Sequence, residues 1–576
     1  MQVQEAIESL RQASAIPNQM NALKNNNIAQ VLTDTARRLP NNLAFTSLGN
    51  SINYRELDAL SDAFAVYLQQ HTDLQKGDRI AIQMPNLTQY PVVFYGASKA
   101  GLVVVNTNPL YTDRELEHQF NDSGAKALVV LANMASAVQD VLPNTGIKHV
   151  IITELADLHG FVSRTLVNFA ARYIKKMVPA YDIPQAVSLR SCLSKGRGGQ
   201  VQDPDVQLDD LALLQYTGGT TGLAKGAMLS HRNLLSNIAQ ERLLFAAFEA
   251  LAGKGIFDKQ SNANASAQTV VLPLPLYHVY ACTLCALMVD LGQHCLLITN
   301  PRDLGSMVKA IKPWPFTVFV GLNTLFVSLC NRDDFKALNF SSLLITISGG
   351  MALTKDAATQ WREITGSMVY EGYGLTETSP VVSINVGSEN DSGRKLGSIG
   401  VAAPSTELKV IDDGGNALPC GERGELCVRG PQVMQGYWNL PEKTAEVLSD
   451  DGWLATGDIA IIGEDGFPHI VDRKKDMIIV SGFNVYPNEV EDVISAHPQV
   501  IECAVIGVPD ARAGEKVKAF VVKASPELTE ADIIRFARDQ LAAYKLPSTV
   551  AFMDDLPKSN VGKILRRELR DKELAG

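Results

Sequence analysis

The sequence predicts an α/β protein with a large N-terminal domain of parallel α/β sheets and a β-rich part, residues 1–473, followed by a small α+β C-terminal domain, residues 474–576. Three observations predict this. At 576 residues the chain exceeds the roughly 250–300 at which a single core stops growing, so at least two domains are expected. Between 28 and 240, apolar runs of strand length alternate with helical stretches, which implies crossover helices and parallel pairing. From 397 to 470 the pattern shortens to strands broken by Gly-Asp pairs, and beyond the charged run Asp472–Asp476 a module of ordinary domain size remains.

In the first part, Leu57, Leu60, Phe64 and Leu68 share one helical face, and Arg79–Gln83, Ala127–Leu131 and His149–Thr153 read as strands. In an open parallel sheet, ligands bind where strands end at their carboxyl termini. One such end carries Tyr216-Thr-Gly-Gly-Thr-Thr-Gly-Leu-Ala-Lys225-Gly, after the apolar run Leu211–Gln215 and before Asn233–Ala239, which can continue as a helix. Gly218, Gly219 and Gly222 let backbone amides turn toward an anion, Thr217, Thr220 and Thr221 add hydroxyls, and Lys225 adds charge. This is a phosphate cradle, with a plain flexible loop as the alternative. It is not a Walker loop, because Lys225 follows Ala224 and precedes Gly226, and it lacks the dinucleotide Gly-x-Gly-x-x-Gly spacing.

Val167–Val178 combines bulky apolar residues with Arg172, Lys175 and Lys176, as an interfacial membrane helix does. The commoner fate of such a helix is to pack its apolar face inward. Residues 251–268 read as an exposed insertion. Val271–His278 ends a strand-like run on Tyr277 and His278, and Leu343–Ser348 followed by Gly349-Gly350 repeats the pattern of a buried strand with close backbone approach. Next, Tyr370–Pro380 sets Gly372 and Gly374 about Tyr373, a flat stacking surface, and offers Thr376 and Glu377 as hard oxygen ligands for magnesium on a nucleotide. Asp458, after Gly457, is a natural ribose acceptor. In the C-terminal module, a helix opens at Thr529 with Asp532 as capping partner, and its buried face is Ile533, Phe536, Ala537 and Leu541. The loop Pro557–Lys563 can carry Lys563 into another domain's cleft.

Apolar residues make up 46% and charged residues 20% of the chain, so disorder does not dominate, and the net charge of −10 disfavours a nucleic-acid protein. The N-terminus shows neither the basic lead nor the apolar core of a secretory signal, and Val279–Val289 is too short to span a bilayer. A cytoplasmic location is expected, and the eight thinly spread cysteines fit reduced thiols, with Cys282 and Cys285 as core residues.

Tyr216–Gly226, Tyr373–Pro380, Gly452–Asp458, Asp472–Glu491 and Pro557–Arg567, in that order, resemble the signature segments of the adenylate-forming superfamily, and Ser481-Gly-Phe-Asn-Val-Tyr-Pro487 is most like its fatty acyl-CoA synthetases. The resemblance implies a β-barrel-like subdomain and a mobile C-terminal domain, with the active site between the domains. It implies ATP, CoA, Mg2+ and a long-chain fatty acid as the small molecules handled, and an acyl-adenylate intermediate. Medium-chain acids, or a carrier protein in place of CoA, are the alternatives, as is a binding protein without catalysis. By this resemblance Thr217–Lys225 hold the β- and γ-phosphates, Glu377 the metal, Gly349, Gly350 and Tyr373 the adenine, and Asp458 and Arg473 the ribose. Lys563 matches the catalytic lysine, Lys475 the hinge, and Ser481 and Gly482 the CoA path. Tyr277, His278, Val318 and Gly349 are candidates for the acyl lining. Some long-chain members carry a tryptophan gate just after the residue matching His278; here Tyr280 is the available substitute. Peripheral contact with the inner face of the cell membrane and a homodimer are both left open.

Overall fold

The structure, a computed structural model, describes residues 2–217, 224–252, 268–387, 393–481, 483–510, 512–538, 540–559 and 562–575. Gly218, Gly219, Thr220, Thr221, Gly222 and Gly482, and residues 253–267 of the expected insertion, lie outside them.

Among the described residues the strands form four sheets. A seven-stranded sheet runs Val187–Ser188, His149–Thr153, Ala125–Leu131, Arg79–Gln83, Val103–Asn106, Leu211–Thr217, Lys225–Ser230. Its pairs are parallel except the last. Side chains alternate across a pleated strand. Accordingly Ile80, Ile82, Val104, Val129 and Leu213 enter one hydrophobic cluster and Ala81, Val103, Val105, Leu128, Val130 and Leu214 another. A nine-stranded sheet runs Val401–Ala402, Val381–Ile384, Val369–Gly374, Ile345–Ser348, Phe316–Gly321, Thr269–Leu272, His294–Leu297, Leu43–Ser47, Asn50–Asn53, parallel in its centre and antiparallel at both edges.

The helix Gln89–Lys99, every residue of which is buried, and the nearly all-apolar helix Val279–Asp290 share one core with both sheets. A helix apolar all round belongs inside, which settles Cys282 and Cys285 as buried, free core residues. The β-rich part is a four-stranded antiparallel sheet of Glu407–Ile411, Arg423–Arg429, Leu454–Ile462 and Pro468–Arg473. Beyond it, strands Ile478–Val480, Phe483–Val485, Val500–Asp510, Gly514–Lys523 and Thr549–Phe552 carry helices Pro487–Ser495 and Glu530–Arg538 and bury cores of their own around Val490, Val505 and Val517 and around Ile506, Phe520 and Leu569.

Two expectations about helices are corrected, those for Val167–Val178 and for Phe536. The expected helix through Asn233–Ala239 is present as His231–Ala252, and it follows a strand, Lys225–Ser230, that pairs antiparallel with Leu211–Thr217, with Thr217 opposite Lys225. Ser230 and Asn233 start that helix, each accepting the other's backbone N–H, at 2.9 and 3.2 Å. The expected helix at Val167–Val178 is displaced toward the N-terminus, as Phe161–Phe169 continued by a π-turn over Ala170–Ile174. Its apolar face does not pack inward: Phe161 is 73% and Ile174 70% exposed, and Val162, Leu166, Phe169 and Tyr173 are also exposed. In the helix Glu530–Arg538, Thr529 and Asp532 cap as expected, but Phe536 is only half-buried, its ring edge-on to His497. No helix among the described residues is long and apolar enough to cross a membrane.

Candidate active site

The carboxyl ends of the central strands open into a cleft of about 1950 Å³ that reaches the C-terminal segment. Thr217, Lys225, Tyr277, His278, Gly349, Gly350, Gly372, Tyr373, Gly374, Thr376, Glu377, Asp458, Arg473, Lys475 and Lys563 all line it.

At the phosphate end, the ammonium of Lys225 lies 4.4 Å from the centre of the Tyr437 ring, and the Tyr437 hydroxyl donates to Glu377 Oε1 at 2.8 Å. A cation over an aromatic face and a charge-assisted hydrogen bond hold both groups in place. The loop after Gly374 presents Glu377. An added Cβ at Gly374 would sit 2.0 Å from the Pro380 carbonyl oxygen, so only glycine allows this turn. Tyr216 donates to Asp122 Oδ2 at 2.6 Å and the Trp438 indole to the Asp122 carbonyl at 2.9 Å, which anchors the hairpin and the Gly436–Trp438 loop to one residue. His231 is structural: its Nδ1 accepts the Ile28 N–H at 3.1 Å, and burial pushes its pKa down to about 4.

At the centre, Tyr373 donates to Asp458 Oδ2 at 2.6 Å and Arg473 approaches Asp458 Oδ1 at 3.3 Å, so Asp458 is aimed and charge-compensated. Lys563 stands opposite. Gly350 has φ +82°, and an added Cβ there would lie 3.6 Å from Lys563 Cε. Enclosure in the cleft, with Arg473 next in effect, pushes the Lys563 pKa down to about 8 despite Asp458 and Glu377. Burial, with Lys563 adding, takes His278 down to about 3, so it is a neutral imidazole whose Nδ1 accepts the Tyr280 N–H at 3.3 Å.

Lys563 is delivered by a hairpin in which Ser559 N–H donates to the Lys563 carbonyl at 2.7 Å and Lys563 N–H to Ser559 Oγ at 3.0 Å. Arg566 anchors the chain just beyond this hairpin, with Nε 3.0 Å and Nη2 2.7 Å from the two oxygens of Glu491 and further contacts to Asn488, Asp476 and Asp472. Arg570 pairs with Asp476 and donates to the Lys475 carbonyl. Burial pushes the Asp472 carboxyl up to about 6 even beside Arg566. Lys475 is also held below the usual lysine range, by burial and then by Arg473.

Two predicted residues lie away from the cleft. Val318 is fully buried in Phe316–Gly321, because it sits within a central strand covered on both faces rather than at its carboxyl end. Ser481 is exposed in a left-handed turn, φ +52°, its N–H donating to the Ala513 carbonyl at 2.7 Å. Sequence reasoning missed Tyr437, Asp122, Arg566 and Glu491. Tyr437-Trp438 follows Gly436, whose φ of +136° only glycine tolerates easily, and an aromatic pair after a glycine was the one visible signal.

Comparison with known proteins shows the family of the whole chain. The family described as AMP-binding enzyme matches residues 32–438, and the AMP-binding enzyme C-terminal domain matches 489–563. The chain is 49% identical to the long-chain-fatty-acid–CoA ligase of Escherichia coli O6:H1, covering 98% of this chain and 97% of that one. It is 36% identical to the long-chain-fatty-acid–CoA ligase of Bacillus subtilis over 97% and 96% of the two chains. Among solved structures, ATP-bound MatB from Rhodopseudomonas palustris superposes with a TM-score of 0.74 at 29% identity, covering 95% of this chain and 99% of that one. On these matches, together with the lysine-bearing hairpin seated over the glycine pair of the cleft, the chain belongs to the AMP-binding enzyme family.

Proposed function

We propose that this protein activates a long-chain fatty acid with ATP and transfers the acyl group to CoA. The observation that carries the reading is Lys563 beside Gly350, at the junction of a polar arm ending in Glu377 and Lys225 with an apolar arm beyond Gly349. The relatives at 49% identity bear the same activity in their name, which supports it.

The chemistry rests on charge. A carboxylate and ATP repel, so positive groups must screen the phosphates where charge develops. Lys225 and Thr217 serve the β- and γ-phosphates, Asp458 and Arg473 the ribose, and Tyr373 with the Gly349-Gly350 backbone the adenine. Lys563 stabilises the α-phosphate as a carboxylate oxygen attacks phosphorus and the α–β phosphoanhydride bond breaks. Acyl-adenylate and pyrophosphate result. In the second half-reaction the C-terminal domain turns about Lys475, withdrawing Lys563 and bringing the Ser481-Gly482 segment to the cleft. The CoA sulfur then attacks the acyl carbon, the thiol proton is lost and AMP departs.

The residues fit a magnesium ion carried on the phosphates. Tyr437 occupies one oxygen of Glu377 by donating to it, which leaves the second oxygen for a ligand. Mg2+ there would neutralise phosphate charge, and it usually takes only one or two protein carboxylates beside substrate phosphates.

The exposed helix Phe161–Phe169 with its π-turn supports contact with an anionic membrane surface: its apolar side chains stand beside Lys175 and Lys176, both exposed. Arg172 is engaged with Glu154 at 2.9 Å, so the lysines carry the attraction. Replacing Phe161, Leu166 and Ile174 by Ser should abolish sedimentation with anionic vesicles, and unchanged sedimentation excludes this helix.

The decisive experiment measures pyrophosphate release across a panel of carboxylic acids, with and without CoA. Release with long-chain acids and formation of the acyl-CoA are expected. Failure of every fatty acid to promote release would reject the reading.

A further inference from the structure

The apolar arm of the cleft contains two polar groups that the proposed chemistry does not use. Glu241, Leu244 and Phe245 occupy positions i, i+3 and i+4 of the helix His231–Ala252, hence one face of it, and all three line the cleft. Tyr280 and Leu284, at i and i+4 of Val279–Asp290, line it from the other side. Four of these five are what an acyl channel requires. Glu241 is not: it is 3% exposed, yet its Oε1 finds no hydrogen-bond partner among the described residues. The Tyr280 hydroxyl is likewise enclosed and unpartnered among them. Its ring lies against Gly349, where an added Cβ would come within 3.0 Å of it, so the phenol stands just beyond the glycine pair that faces Lys563.

Buried carboxyl and hydroxyl groups are nearly always hydrogen-bonded, and one that no side chain or backbone group reaches is met by water or by a polar group of the ligand. Two such groups, from two helices, flank a cavity that opens onto the reaction centre. A saturated chain can satisfy neither. A hydroxyl can donate to one and accept from the other, whereas a keto oxygen can only accept and leaves any acceptor at the site without a donor. Among the described residues, no other acidic, basic or amide side chain on this stretch of the two helices lines the arm, since Asn237 and Gln240 are engaged with Val381, Pro404 and Gln432.

Building on the fatty-acid reading, we propose that Glu241 and the Tyr280 hydroxyl form a polar subsite in the acyl channel that takes a hydroxyl group on the acyl chain, and that hydroxylated fatty acids are preferred substrates of this enzyme. The selectivity has a known physical basis: a site built to bond a hydroxyl discriminates against the analogue that leaves its buried groups unpaired more strongly than an apolar pocket discriminates a methylene.

The test compares kcat/KM for one saturated long-chain acid with that for its monohydroxy derivatives, the hydroxyl being moved stepwise along the chain, by pyrophosphate release in the presence of CoA. At least one isomer should exceed the parent acid by about tenfold, the order expected for a matched buried hydrogen-bond pair. Glu241→Leu and Tyr280→Phe should each cut that ratio severalfold by lowering kcat/KM for the hydroxy acid more than for the parent acid, a change of selectivity that general damage to the fold cannot produce. Glu241→Gln keeps the shape and a hydrogen-bonding head, so it should retain part of the preference even if Glu241→Leu fails to fold. Preference for the parent acid at every hydroxyl position in the wild-type enzyme overturns the subsite, as does a ratio that survives the variants. Absence of release with parent and derivatives alike would instead remove the fatty-acid reading, and the subsite with it.

Discussion

Replacing Tyr437 by Phe isolates one hydrogen bond at the phosphate end of the cleft. The substitution deletes the hydroxyl that donates to Glu377 Oε1 at 2.8 Å and keeps the ring that Lys225 faces at 4.4 Å. A hydrogen bond to a charged group contributes roughly 1.5–3 kcal/mol, and about 1.4 kcal/mol is a factor of ten in rate. Tyr437 is buried but Glu377 is only half-buried, so solvent takes up part of the loss and the lower end applies. The expected result is a fall of about 10- to 30-fold in kcat/KM for ATP, read as pyrophosphate release, with a raised magnesium requirement because Glu377 is no longer aimed. Tyr437→Leu also removes the cation–π contact, of order 0.5–2 kcal/mol, and should lose severalfold more. A Phe variant within about twofold of wild type, at matched thermal stability, would refute the reasoning, and so would a Leu variant no worse than the Phe variant.

Lys563→Ala should abolish formation of the acyl-adenylate and leave transfer from preformed acyl-adenylate to CoA largely intact; equal loss in both half-reactions would contradict a role confined to the first. Arg566→Met leaves Asp472, which is fully buried, and the half-buried Glu491 without their cation. Stranding such charges costs of order 3–5 kcal/mol, so hydrogen exchange should show residues 562–575 losing protection while the seven-stranded sheet keeps its own. Burial pushes Glu371 up to about 7, so its contribution to stability is full below the ordinary glutamate range and lost as pH rises through about 7. Glu371→Gln, which can still accept the Leu353 N–H that the carboxylate accepts at 3.2 Å, should therefore raise Tm relative to wild type at pH 8 by more than at pH 5. An equal change at both pH values would place the effect outside titration.

Local patterns carried much of this protein in its sequence. Strands such as Arg79–Gln83 and His149–Thr153 were readable because a buried parallel strand must be continuously apolar, and the Thr529–Asp532 cap because capping partners lie one turn apart. The motif residues Gly349, Tyr373, Glu377, Asp458 and Lys563 were legible as chemistry, since glycine at close approaches and hard oxygens beside hydroxyls leave few other uses. What no local pattern contains is which distant groups meet. Tyr437 bonds Glu377 across 60 positions and Arg566 bonds Glu491 across 75, and only the packing of the four sheets about one cleft makes those pairs neighbours. The same packing left Phe161–Ile174 facing outward and sealed Glu241 inside with no partner for its Oε1 among the described residues. Periodicity records that a face is apolar or that a residue is charged. Whether anything covers that face or pairs with that charge depends on where other segments of the chain come to rest.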